Sequence, residues 1–175
     1  MKIQINRKQL AGVLSRCVNF VLKEEEAISQ VLIVASSPNR LEFNATNLDV
    51  GIRIGTTCTA VEIEGSCVIP SGRVAKILNE MTEEEIDVIG EDTGHVFIKS
   101  ASSKFNFVTF KTEEFSLLPS MANAKSFSVL GAQLKSLFAV GYACAKESAR
   151  YTLNGILFSI RGSNLDSVAT DGKRL

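Results

Sequence analysis

Residues 2–6 alternate polar and apolar side chains in the manner of a strand, and Asn6 then stands where a helix N-cap belongs. Gln9, at the third helical position, would complete a reciprocal capping box with it. Leu10, Val13, Leu14, Cys17, Val18 and Val21 follow at 3–4 spacing and predict an amphipathic helix with one core stripe. Ile28–Ala35 and Arg40–Ala45 read as strands around a Ser-Ser-Pro-Asn turn. Leu48, Val50, Ile52 and Ile54 alternate with Asp49, Gly51, Arg53 and Gly55, which predicts a strand with one wet face. Cys58–Ile63 and Cys67–Ile69 are two more short strands, and Pro70-Ser71 opens a second helix with Val74, Ile77, Leu78 and Met81 inward. Ile86–Ile89, His95–Lys99 and Lys104–Phe110 complete the strand set. Helices set among runs of strands predict an α+β fold, with two helices on one mainly antiparallel sheet system.

The pattern then begins again. Shifted by 124 residues, Ile3 and Ile5 fall on Phe127 and Val129, and Gln9-Leu10 falls on Gln133-Leu134. Ile33-Val34 falls on Leu157-Phe158, Leu41 on Leu165 and Ala45-Thr46 on Ala169-Thr170, all without a gap. The helix stripe returns as Leu134, Leu137, Phe138, Gly141, Tyr142 and Ala145, so a second core face is expected there. A repeat this long is a duplicated domain rather than a solenoid unit. The polar segment from Lys111 to Lys125 reads as the connection. The expected division is a domain over 1–120, a linker over 121–126 and an incomplete N-terminal half of a second domain over 127–175. Half a domain buries too little surface to be comfortable alone. The expectation is therefore the N-terminal portion of a chain about twice as long, with a third copy downstream.

Charge adds little, because Lys+Arg and Asp+Glu both number 19 and announce neither a nucleic acid nor a membrane surface. No apolar run reaches the ~18 residues of a membrane span, and the opening strand lacks a signal peptide's apolar centre. Cys17, Cys58, Cys67 and Cys144 have no metal-ligand spacing and read as small core hydrophobes, which fits a reducing cytoplasm.

Candidate chemistry is sparse. Asp92-Thr93-Gly94 matches a short aspartic-protease signature, but Gly-Glu-Asp-Thr-Gly between two strands is hairpin-turn composition. A protease of that kind also needs a second carboxylate to share the proton. His95 is the only histidine and has no partner set for a metal or a nucleophile. No Gly-rich phosphate loop occurs, so neither cofactor, metal nor catalysis is expected. The helices are more instructive on their polar sides. The first presents Lys8, Gly12, Ser15, Arg16 and Asn19, and the second Gly72, Arg73, Lys76 and Asn79, with no acid before Glu80. Such a face is either ordinary solvated surface or one turned toward a phosphate backbone.

Arg150-Tyr-Thr-Leu-Asn-Gly-Ile-Leu-Phe158 and Ser167-Val-Ala-Thr-Asp-Gly-Lys-Arg-Leu175 decide between them. They closely resemble the R-Y-x-L-N-G-x-L-F and V-A-T-D-G-H-R-L signatures of bacterial sliding clamps, the β subunits of DNA polymerase III. The Met-Lys start, Ala45-Thr-Asn-Leu-Asp49, Val68-Ile-Pro70 and Phe115-Ser-Leu-Leu-Pro119 resemble further family positions, so the likeness covers all 175 residues. It implies the DNA-clamp fold: tandem domains with helices packed on antiparallel sheets, helices lining a ring and sheets outside. It further implies a cytoplasmic, non-enzymatic processivity factor, a homodimer at full length, holding double-stranded DNA topologically and without sequence readout. DNA polymerase III subunits and the clamp loader would dock through short linear motifs, and no membrane is involved.

By this resemblance the motif pocket would take Leu153, Thr170, Gly172, Lys173, Arg174 and Leu175. Lys8, Arg16, Arg73 and Lys76 would face DNA, and Arg73, Lys104, Phe105 and Phe107 would belong to the ring joint. Lys173 stands where many members have histidine. Glu147 and the Lys23–Glu26 acidic run would repel phosphate, so no DNA contact is assigned to them. The alternative reading is a clamp-like protein-interaction module that does not encircle DNA.

Overall fold

The computed structural model describes residues 1–21, 30–120, 122–124, 126–147 and 149–174. The Lys23–Glu26 run and Leu175 lie outside the described residues. The chain divides into two compact units, Met1–Ser120 and Met121–Leu175.

The first unit runs β1 (Lys2–Asn6), α1 (Arg7–Cys17), β2 (Gln30–Ser36), β3 (Arg40–Thr46), β4 (Gly51–Thr57), β5 (Ala60–Ile63), β6 (Gly65–Pro70), α2 (Ser71–Glu80), β7 (Glu85–Gly90), β8 (His95–Lys99) and β9 (Lys104–Val108). Its strands form two antiparallel sheets rather than one, in the orders β5-β1-β7-β8-β9 and β4-β3-β2-β6. One continuous core draws on both sheets and both helices, with Ile3, Leu10, Leu14, Ile33, Phe43, Leu78 and Ile98 fully enclosed or nearly so. Burying each such side chain favours the folded state by roughly 1.5–3 kcal/mol. The thiols belong to this core. Burial pushes Cys67 up to about 12 and Cys17 up to about 11, which leaves both uncharged and unreactive.

Two halves of this unit repeat each other, a relation that the alternation of residues alone does not reveal. Strand, helix and three-stranded meander occur once as β1-α1-β2-β3-β4 and again as β6-α2-β7-β8-β9. The first strand of each half pairs with the meander of the other. Subtracting 64 from Ser66 and adding 55 to Val34 turns the pair Val34↔Ser66 into Lys2↔Ile89, and both pairs exist. The halves are thus related by an approximate two-fold axis, with α1 packed beside α2. Leu10, Leu14 and Cys17 correspond to Val74, Leu78 and Met81, and all six are buried. Arg7 fastens the helices together: its Nη1 donates to the Leu78 carbonyl at 2.5 Å and its Nε to the Glu83 carbonyl at 2.9 Å. A cation there suits the C-terminal end of α2, which carries partial negative charge.

Several local expectations need correction. The Asn6 side chain does cap α1, accepting from Lys8 N and Gln9 N. Gln9 does not reciprocate, because its amide reaches across to Thr56 Oγ1 (2.9 Å) and the Thr57 carbonyl (2.7 Å). The strand predicted from Leu48 begins only at Gly51. Leu48 is in a turn at φ 76°, where Asn47 Oδ1 accepts from Asp49 N and Val50 N. Leu48 and Val50 are accordingly exposed, while Ile52 and Ile54 pack on the core. β9 ends at Val108, since the Thr109 amide turns back to the Gly94 carbonyl at 2.7 Å.

The second unit contains α3 (Gly131–Phe138), a 3-10 continuation to Ala143, a 3-10 turn at Tyr151–Asn154, and β10 (Leu157–Arg161) paired with β11 (Asn164–Val168). The helix starts 124 residues after α1, as the repeat requires. The gapless register fails in the hairpin. Ile33 faces Phe43 in the first unit, whereas Phe158 faces Ser167 in the second, so β10 is displaced by 125 and β11 by 124. The cause is the turn, three residues between Ser36 and Arg40 but two between Arg161 and Asn164, with Gly162 at φ 60°. A one-residue slip exchanges strand faces. Phe158, not Leu157, therefore takes the place of Ile33, and its ring meets Phe138 edge-on at 5.8 Å. The expected second core face is also open: Leu134, Phe138 and Tyr142 are exposed.

Candidate functional site

Three surfaces carry the residues singled out from the sequence. On the paired helices of the first unit, packing turns Leu10, Leu14, Val74 and Leu78 into the core. The opposite faces are then left to Lys8, Gly12, Ser15 and Arg16 on α1, with Asn19 in the 3-10 turn that follows it, and to Arg73, Lys76 and Asn79 on α2, all exposed. Because the helices lie side by side, Lys8, Arg16, Arg73 and Lys76 belong to one outward layer. Among the described residues, Lys8, Arg16 and Lys76 enter no ion pair, so their charge is turned to solvent. Arg7, by contrast, is consumed in holding the two helices together.

The second surface is an edge. β9 is the outermost strand of the five-stranded sheet and pairs only with β8 among the described residues. Alternation sends Lys104, Asn106 and Val108 outward, and the Lys104 ammonium lies 4.7 Å from the Phe97 ring centre. Phe105 is half-buried against the core. Phe107 is buried within it, so Phe107 offers a partner strand its backbone rather than its ring. Beside this edge, Lys76, Ile77, Met81, Glu83, Ser102 and Phe105 help to line a groove of about 590 Å³. The Glu83 carboxylate there accepts from the Ser102 hydroxyl, which holds it down at about 2. Arg73 is on the same helix as the groove's Lys76, but does not line it.

The third is a turn in the second unit. Thr170 Oγ1 accepts from Gly172 N at 3.0 Å and donates to the Arg174 carbonyl at 2.5 Å. Asp171 Oδ1 accepts from the amides of Lys173 (2.9 Å) and Arg174 (3.1 Å), and its Oδ2 meets Arg174 Nε at 2.9 Å. The Lys173 amide, aided by the Arg174 charge, pulls the Asp171 carboxyl below its ordinary range. Gly172 at φ 85° allows the chain to reverse. Lys173 and Arg174 then line a groove of about 690 Å³ with Tyr142, Ala145, Lys146 and Glu147. Leu153 is tied to that wall, since its carbonyl accepts from Ala145 N at 2.9 Å. Leu153, Thr170, Gly172, Lys173 and Arg174 are thus brought into one neighbourhood. Sequence reasoning missed Tyr142 and Lys146; their nearness is set by the 3-10 continuation after α3, which carries no motif of its own.

Elsewhere, Asp92 is exposed in the β7–β8 turn, which the Gly94 amide closes onto the Glu91 carbonyl at 3.1 Å. His95 Nδ1 lies 3.4 Å from Asn106 Oδ1 on the neighbouring strand. No cluster able to hold a metal occurs among the described residues, and none of their helices is long and apolar enough to cross a membrane.

Residues 1–119 match the family model for the DNA polymerase III beta subunit, N-terminal domain. This chain belongs to that family. Along its whole length it is 35% identical to the beta sliding clamp of Chlamydia muridarum, of which it covers 48%. It is 27% identical to the Vibrio cholerae beta sliding clamp over 82% of this chain and 40% of that one. The crystal structure of the DNA polymerase III subunit beta from Pseudomonas aeruginosa superposes with a TM-score of 0.87 at 26% identity, over 98% of this chain and 47% of that one. The Helicobacter pylori beta clamp shares the fold at a TM-score of 0.89 and 22% identity, over 99% of this chain and 48% of that one. The α+β clamp fold is thereby established, and the chain spans about half the length of the relatives it matches.

Proposed function

We propose that the protein acts as a sliding clamp, a ring that holds duplex DNA by enclosure and keeps a replicative polymerase attached. The observation that carries this reading is the outward layer of Lys8, Arg16, Arg73 and Lys76 on two adjacent helices whose other sides are core. Cations spread over helix faces, without a recognition loop, suit contact with phosphates irrespective of sequence. In this reading 1–120 is the first clamp domain, 121–126 the linker and 127–175 the N-terminal half of the second. The β9 edge, with Lys104, Phe105 and the backbone of Phe107, is the ring joint, and a full-length homodimer closes there. Arg73 approaches the joint from α2.

The Thr170–Arg174 turn and Leu153 form part of the pocket for short linear motifs of polymerase III subunits and the clamp loader. Leu153 supplies an apolar wall, Lys173 and Arg174 a cationic rim, and the cytoplasm is the place of work. The deciding experiment loads the complete protein onto circular and linearised DNA of one sequence. Retention on circles and loss from free ends is expected; equal retention on both would favour a binding module that does not encircle DNA.

A further inference from the structure

The segment from Lys111 reads as a connection in the sequence, yet its first half is packed on the first unit. On β2, Val31 and Ile33 join the core, so alternation turns Leu32 to the other face of the four-stranded sheet. Its cross-strand neighbours are Val68 on β6 and Asn44 on β3. Leu32 and Val68 are outside the core cluster, but they are only 2% and 1% exposed, and Asn44 only 3%. A second layer therefore covers this outer face, and residues 110–118 supply it. Phe110 N donates to Gln30 Oε1 at the start of β2 at 3.4 Å. A 3-10 turn at Thr112–Glu114 then touches β6, and Leu118 lies over Gly51 on β4. The segment thus crosses the sheet from one edge strand to the other, with Phe115 and Leu118 half-buried and Leu117 exposed.

We propose that residues 110–118 form a releasable strap that sets the length of the connection to the second unit. Gly51 is its catch, since a Cβ there would collide with Leu118 Cδ2. Thr109 is its fixed end, with its amide held on the Gly94 carbonyl at 2.7 Å. Within the strap the hydrogen bonds are local, from Glu114 N to the Lys111 carbonyl at 3.1 Å and from Phe115 N to the Thr112 carbonyl at 3.2 Å. Among the described residues it adds no strand to either sheet, so it can lift away while the ladders beneath stay intact. Closed, the strap takes Lys111 to Leu118 out of the connection. Released, the same residues add up to roughly 26 Å of reach.

Limited trypsin digestion without DNA tests this, because cleavage after Lys111 follows local opening. Gly51→Ala should raise the cleavage rate there by about 10-fold, and Leu118→Ala by a similar factor. The double variant should be cut no faster than either single one, since both break the same contact. Gly55→Ala, on the same face of β4 with open space around a Cβ, should leave the rate unchanged. Small-angle scattering should show a larger maximum dimension for Leu118→Ala than for the natural chain. If circular dichroism shows that Gly51→Ala does not fold, Leu118→Ala, which alters the strap alone, is compared with Gly55→Ala instead. Unchanged cleavage in Leu118→Ala, equal acceleration by Gly55→Ala, multiplying effects in the double variant, or an unchanged maximum dimension would each overturn the proposal.

Discussion

In the first unit Leu10 and Leu14 are wholly enclosed, while the residues 124 positions on, Leu134 and Phe138, stand about half exposed. Both helices begin at the same point of the repeat and carry the same apolar spacing. What differs is the company: α1 has α2, β1 and β3 against it, and α3 makes its main contacts with its own continuation and β11. A hydrophobic stripe records which side of a helix is to be covered, and only the rest of the fold decides whether it is covered. The contrast also explains why the first unit has a continuous core and the second has small buried residues such as Ala143 and Ala169.

Matched substitutions test that contrast. Leu14→Ala should lower stability by about 2–5 kcal/mol in denaturant titration, because it empties a closed site. In the 175-residue chain Phe138→Ala, its equivalent, should cost well under half as much; equal losses would mean that the second stripe is covered there after all. Gly90→Ala should destabilise by about 1–3 kcal/mol, since a Cβ there would lie 2.3 Å from Cys67 Cβ on the other sheet of the first unit. In the hairpin of the second unit, Gly162→Ala meets no neighbouring atom and should cost about 1 kcal/mol, from its positive φ alone.

The helix starts offer an exchange in opposite directions. Asn6→Ala should remove about 1 kcal/mol, and Leu130→Asn should add a similar amount by giving α3 the side-chain cap it lacks. A fall on both substitutions would show that the cap sites are not equivalent. The smallest effect concerns pH. The folded Glu83 carboxyl lies at about 2, below its ordinary 4.5, so its contribution is complete above 4.5 and is lost as pH falls through about 2. Ser102→Ala should move the Glu83 titration, followed by carbon NMR, back toward its ordinary range, while Asp171, held mainly by backbone amides, keeps its depressed value.

Much of the fold was legible in residue spacing. α1, α2, β8 and the hairpin pattern follow directly from apolar periodicity, and Asn6 from its capping chemistry. Three features were not. The division into two sheets depends on first strands crossing to the opposite half, a long-range choice that local alternation does not encode. Gln9 has the right position for a capping box, yet the nearby Thr56 and Thr57 of β4 offer its amide better partners. The placement of Leu48 is set by an Asn47-centred turn that alternation cannot sense. Of the candidate sites, the exposed cations were readable because a helix has only two sides. The inward turn of the Phe107 ring was not readable in the same way, because alternation along this strand leaves Phe105 half-buried and spends the Phe107 ring on the core.

The unequal turns at Ser36–Arg40 and Arg161–Asn164 have a practical outcome for anyone building chimaeras. Segments 33–44 and 157–168 have equal length and align without gaps, yet they are not interchangeable parts. Grafting the later hairpin into the earlier position would bring a polar side chain inward wherever its outer strand kept step with β4. A working transplant would have to carry its own turn and surrender one residue upstream of it.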